Sequence, residues 1–125
     1  MKTSFLAKYL DSTMSIEDLK KYIDEPVSFI RDSSKETGAS IPIEIESDLS
    51  GYVVLAGQVK KICQDFINRR LDEVELNYLT TVIELSESFS FESELIEDAV
   101  SILSDSTSEN PLTNEVVMGV IRGLS

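Results

Sequence analysis

The sequence predicts an all-α fold, an irregular bundle of five to six helices forming a single domain over residues 1–125, with either a short extended segment or a hairpin near 41–56. Three observations point to it. Apolar residues recur at three- and four-residue spacing along most of the chain. Cap and stop signals fall between those stretches, and no fixed-period repeat suggests a solenoid. A chain of 125 residues with 42% hydrophobic content can bury one core, with a radius of gyration of about 14 Å, but not two.

Phe5, Leu6, Tyr9 and Leu10 form the first helical stripe, broken by Asp11-Ser12-Thr13. Ser15, with Asp18 three residues on, is placed to cap a second helix whose stripe is Ile16, Leu19, Tyr22 and Ile23. Pro26 is expected to kink or restart it, Val27, Phe29 and Ile30 to continue it, and Gly38 to stop it. In residues 38–50, Ile41, Ile43 and Ile45 alternate with Pro42, Glu44 and Glu46 at the period of a strand. The nearest strand partner, Tyr52 to Ala56, would give a lone hairpin of marginal stability, so an extended linker pinned by its isoleucines is preferred. Tyr52, Leu55, Val59, Ile62, Cys63 and Phe66 mark a central helix, within which Gly57 is a candidate for a close crossing.

Asp72 and Glu75 form a capping box ahead of Leu76, Leu79, Val82 and Ile83, a helix running to about Glu87. Ser88-Phe89-Ser90-Phe91 reads as a turn with two core aromatics, and Ser90 as cap for a helix carrying Leu95, Ile96, Ala99, Val100 and Leu103. Asp105 to Leu112 is a polar loop ending in Asn110-Pro111. Thr113 then caps a last helix with Val116, Val117, Val120, Ile121 and Leu124 inward, and Gly119 and Gly123 spaced for close packing on a neighbour.

Missing residue types exclude whole classes of chemistry. The chain has no histidine and one cysteine, so imidazole-based triads are impossible and a soft-metal site is not expected. No internal disulfide can form, which fits a reducing, cytoplasmic setting. The opening MKTSFLAKYLDS is too interrupted for a secretory signal, and the most apolar run, Tyr52 to Gly57, is far short of the roughly 20 residues that cross a bilayer. No Walker loop or GxGxxG is present, and no cofactor is expected. Asp105 to Glu109 offers oxygen ligands at alternate positions, but Asn110 and Val116 stand where a calcium loop needs Gly and Glu. Acid pairs such as Glu94/Asp98 and Glu84/Glu87 lie on solvated faces without a pocket, so no catalytic residue is assigned. Cys63 reads as a buried, inert hydrophobe.

Charge is the informative quantity. Of the net charge of −12, residues 71–125 hold a balance of −11, with Arg122 alone opposing twelve carboxylates. Such a surface repels phosphates and anionic membranes, so neither nucleic acid nor membrane is an expected partner. It attracts a basic protein and speeds its association.

The stretches LDEVELNYLTTVIELSESFSF and SENPLTNEVVMGVIRGL resemble the second part of small all-helical bacterial immunity proteins, those of contact-dependent growth inhibition and colicin-like toxin systems. The resemblance covers roughly half of the chain. It implies a cytoplasmic, non-enzymatic antitoxin that binds a cognate toxin domain and blocks its active site or substrate groove. A basic nuclease is the expected toxin, its phosphate-binding cations met by carboxylates. Immunity proteins vary along with their toxins, so the resemblance assigns no individual residue. Charge and periodicity select Asp72, Glu73, Glu75, Tyr78, Glu84, Glu87, Glu94, Glu97 and Asp98 as the contact surface, Tyr78 as an aromatic anchor rimmed by acids. The alternative is a regulatory or structural helical subunit docking through an apolar groove around Tyr52 to Ala56. The sequence does not specify the oligomeric state.

Overall fold

A computed structural model describes residues 1–33, 43–105 and 111–124. Along the chain run helices α1 (Thr3–Leu10) and α2 (Ile16–Ser33), strand β1 (Tyr52–Val54), helices α3 (Ala56–Ile67) and α4 (Glu73–Leu85), strand β2 (Phe89–Phe91), and helices α5 (Glu94–Ser104) and α6 (Asn114–Leu124). The fold is thus mainly helical but not purely so, because β1 and β2 pair in parallel, Tyr52 with Phe89, Val53 with Ser90 and Val54 with Phe91.

Helices α2 to α6 each start where a local donor problem is solved. Ser15 Oγ accepts from the Asp18 N–H at 3.2 Å, opening α2 as the sequence indicates. Asp72 Oδ1 accepts from Glu75 N and Glu75 Oε1 from Asp72 N, both at 2.9 Å, a reciprocal box at the head of α4. Thr113 Oγ1 accepts from Val116 N at 3.2 Å ahead of α6. Gln58 reaches back to the Leu55 N–H at 2.8 Å, fixing the first turn of α3. The cap of α5 is Ser93, whose Oγ accepts from Ile96 N at 3.4 Å, and not Ser90, which lies inside β2. Helices α1 and α3 close through left-handed residues, Ser12 (φ 63°) and Arg69 (φ 61°).

The strand pair corrects the sequence reading twice. Tyr52 to Val54 is not the opening of α3, which begins at Ala56, and Phe89 to Phe91 is a strand where a turn is expected. Val54 is fully buried and Phe89 nearly so, with the Tyr52 ring edge-on to Phe89 at 5.5 Å. The partner of β1 lies beyond α3 and α4, so the hairpin alternative also fails. The preferred linker stands in part. Ile43 and Ile45 are half-buried against the core, and Glu46 bridges to Lys2. Ile41, Pro42 and the Gly38 stop lie outside the described residues. Pro26 does not end α2, which continues to Ser33.

One contiguous core takes residues from every helix and from both strands. Helix α4 packs on α2, α3 and α5, while α3 meets α1, α4, α5 and α6 as a central helix should. A buried polar pair reinforces this centre, Tyr9 of α1 donating to the carboxylate of Asp65 in α3. The acid also lies 3.8 Å from Arg70.

Candidate partner-binding surface

The nine residues that charge and periodicity select for the contact surface separate into two groups. Asp72, Glu73 and Glu75 are engaged in holding the fold. Asp72 caps α4 and pairs with Arg31 of α2, whose own guanidinium is held more firmly protonated by that carboxylate. Glu73 Oε1 accepts the Leu112 N–H at 3.1 Å, tying the entry of α6 to α4. Glu75 is 6% exposed and lies 3.5 Å from Lys20 Nζ while closing the capping box. Of the three only Glu75 is buried; Asp72 is exposed and Glu73 half-buried, their carboxylates engaged at the surface.

Tyr78 is a correction. It is 2% exposed, among the largest side chains in the core, and cannot serve as an exposed aromatic anchor. Helix α4 buries Leu76, Tyr78, Leu79, Val82 and Ile83, a stripe wide enough to take in a residue that the narrower sequence stripe leaves outside. Burial first, and the negative charge of Glu44 second, raise its pKa above the ordinary phenol value.

The other five are on the outside. Glu84, Glu87, Glu94, Glu97 and Asp98 are exposed, and among the described residues no cation lies within ion-pair distance of any of them. Glu84 accepts a hydrogen bond from Ser104 Oγ at 2.7 Å, joining the end of α4 to the end of α5. Glu94 and Glu97 sit in the first turn of α5 with Asp98 just after, where the positive end of the helix dipole favours anions.

Beside these acids the surface turns apolar. Leu95, which the sequence places inward, is 57% exposed, and Ile102, two turns along α5, is 51% exposed. With Ala99 they form one wall of an open groove of about 320 Å³, and Val116, Gly119, Val120, Gly123 and Leu124 of α6 form the other. Asp98 stands on its rim. The two glycines do not serve close packing within the chain. A methyl group built on either would meet no atom within 4 Å, since both face the open groove. Sequence reasoning missed this site because Leu95 and Val116 continue the periodicity of residues that are buried; the available signal was Leu95 and Ile102 at heptad spacing next to Glu94 and Asp98.

The apolar site that the sequence suggests, around Tyr52 to Ala56, is mostly used up. Val54 is core, and the Tyr52 hydroxyl donates to Asp11 at 2.7 Å; burial first and that carboxylate second raise its pKa. Val53 and Leu55 remain exposed. A second hollow of about 590 Å³ lies between α2, the N-terminus and residues 43–46, with Tyr22 and Phe29 exposed on one side and Lys2, Glu44 and Glu46 on the other.

Cys63 is fully buried, and desolvation pushes its thiol up to about 12, the opposite of a reactive thiolate. Among the described residues no group of three or more His, Cys, Asp or Glu side chains is placed to hold a metal ion, and no helix is long and apolar enough to cross a membrane. The calcium reading of residues 105–109 falls mostly outside the described residues. The chain matches no family model, and no curated protein or solved structure is significantly similar to it.

Proposed function

We propose that this chain is a non-enzymatic immunity protein that binds and neutralises a basic toxin domain, a nuclease by preference, through the acidic surface at the α4 end and the start of α5. The observation that carries the reading is the group Glu84, Glu87, Glu94, Glu97 and Asp98, outward-facing carboxylates without a cationic partner among the described residues. The summed field of outward-facing carboxylates draws a cationic partner and is partly neutralised by it. A nuclease offers such cations in the groove that receives phosphate, and carboxylates there form charge-assisted hydrogen bonds with Lys and Arg. Asp72, Glu73, Glu75 and Tyr78 take no part in the contact, because their side chains are committed to caps and core.

The test is co-expression with the toxin domain encoded immediately upstream, using the native chain and the triple variant Glu94→Lys, Glu97→Lys, Asp98→Lys. Growth rescued by the native chain and lost with the variant supports the immunity role and this face together. A neighbouring gene that is not toxic, or that kills despite the native chain, removes the reading.

The second reading, a helical subunit that docks through an apolar groove, is favoured by the α5–α6 groove and moves there from Tyr52 to Ala56. Docking by that route persists as salt rises, whereas contact through the carboxylates alone weakens.

A further inference from the structure

We infer that the α5–α6 groove receives an amphipathic helix of another protein, one that inserts a ridge of bulky aliphatic side chains over Gly119 and Gly123 and carries lysines or arginines along the flank facing Glu94 and Asp98. The inference rests on the proposed function in one respect, the basic character of the partner, and adds the shape and polarity of what is bound.

The argument begins with what lies uncovered. Leu95 and Ile102 of α5 are each more than half exposed, seven residues apart, on the same line of the helix. They span about 10 Å along the axis, two turns of an apposed helix. Opposite them α6 presents glycine at 119 and again at 123, with open space above both. An α6 wall without side chains at two successive turns, facing the apolar α5 wall, lets a third helix approach closely enough for its side chains to reach the backbone. Helix-in-groove recognition uses this geometry, anchored at i, i+3, i+4 and i+7.

Charge selects the occupant. Glu94 and Asp98 are four apart on α5, on the exposed edge adjoining Leu95 and Ile102. An apolar centre bordered by carboxylates on one edge matches a ligand with an apolar ridge and a basic flank. A second copy of this chain fits poorly. Its net charge is −12, and Arg122 is the one cation beyond residue 71 to set against those acids.

The probe is a synthetic peptide with leucine at i, i+3, i+4 and i+7 and lysine elsewhere, labelled for fluorescence anisotropy, with a leucine/glutamate counterpart and a leucine-free oligolysine as controls. The variant is Gly119→Leu, which fills the groove without altering charge; a Cβ there meets open space, so the chain is expected to fold, and circular dichroism verifies it. The leucine/lysine peptide is expected to bind, the leucine/glutamate peptide not to, and oligolysine to bind only weakly and at low salt. Gly119→Leu is expected to weaken the leucine/lysine peptide by roughly tenfold or more, the loss of an anchoring side chain. Undiminished binding to Gly119→Leu overturns the inference, because the peptide is then held by surface charge elsewhere. Failure of the leucine/lysine peptide to bind the native chain overturns it as well. A native dimer in sedimentation that Gly119→Leu dissolves would place a second copy in the groove and overturn it too. The immunity reading stands or falls separately. Gly119→Leu that still rescues growth while the charge-reversed variant fails leaves that reading intact without the groove, and peptide binding in a chain that neutralises no toxin leaves the groove without that reading.

Discussion

Tyr9 donates its phenolic hydrogen to Asp65 across 56 residues of sequence, joining α1 to α3 inside the core, with the tyrosine ring fully buried and the acid 8% exposed. The Lys61 ammonium lies 4.9 Å above the same ring, so the carboxylate sits within a short polar chain and not in bare hydrocarbon. A buried carboxylate must be paired, and this one is paired twice.

Tyr9→Phe keeps the ring and deletes only the hydroxyl, so its cost measures what Asp65 loses. Urea unfolding should show a destabilisation of about 1.5 to 3 kcal/mol, the range for a hydrogen bond to a charged group. Adding Asp65→Asn should bring a non-additive second loss. Strict additivity in the double-mutant cycle would show that the two groups act independently.

Alkaline instability follows from the same core. The Cys63 thiol is pushed up to about 12 and the Tyr9 hydroxyl is also raised, first by burial and then by Asp65. Both groups are harder to ionise folded than unfolded, so their contribution is complete below the unfolded values and lost as pH rises through them. Stability should begin to fall above about pH 9, where an unfolded thiol ionises, and more steeply above about pH 10, each group adding about 1.4 kcal/mol per pH unit. Cys63→Ala should move the onset upward by about one pH unit. Urea midpoints that stay constant from pH 8 to 11 would refute this account.

Two interactions of one carboxylate can be ranked by magnitude. Asp72 caps α4 and pairs with Arg31, but both side chains of the ion pair are 45% exposed. Asp72→Ala should cost about 1 to 2 kcal/mol through loss of the cap, whereas Arg31→Ala should cost less than about 1 kcal/mol because water and salt screen the pair. A larger loss for Arg31→Ala than for Asp72→Ala in thermal unfolding would reverse the ranking.

Gly119 lies inside α6 facing open space. Gly119→Ala should therefore stabilise the chain by about 0.5 to 1 kcal/mol, the helix-propensity difference uncorrected by any clash. A decrease in stability would mean that the groove is narrower than its geometry indicates.

The helical registers were legible because each depends on neighbours within four residues. Ser15, Asp72 and Thr113 cap where the sequence places them, and Leu76, Leu79, Val82 and Ile83 are all buried. The strands were not legible. Two valines at 53 and 54 and the alternation Phe89-Ser90-Phe91 carry a β signal, but three residues are too few to declare it, and the partner of each lies on the far side of two helices. The surface was legible in charge and not in place. Glu75 and Tyr78 turn inward because α4 is covered on several sides, a tertiary circumstance that periodicity along one helix does not encode.

Thr3, at the head of α1, is fully buried and shares its hydroxyl with Ser88 at 2.9 Å and Asp48 at 3.2 Å. During synthesis at roughly 5 to 20 residues per second, Ser88 leaves the ribosome roughly 4 to 17 s after Thr3. Until Ser88 arrives the buried Thr3 hydroxyl lacks one of its two partners, and the eight residues of α1 are too few for a helix that persists alone in water. Helix α1 therefore settles only after residues far along the chain have been made, which leaves Leu6 and Leu10 open to chaperones or to neighbouring nascent chains in the meantime.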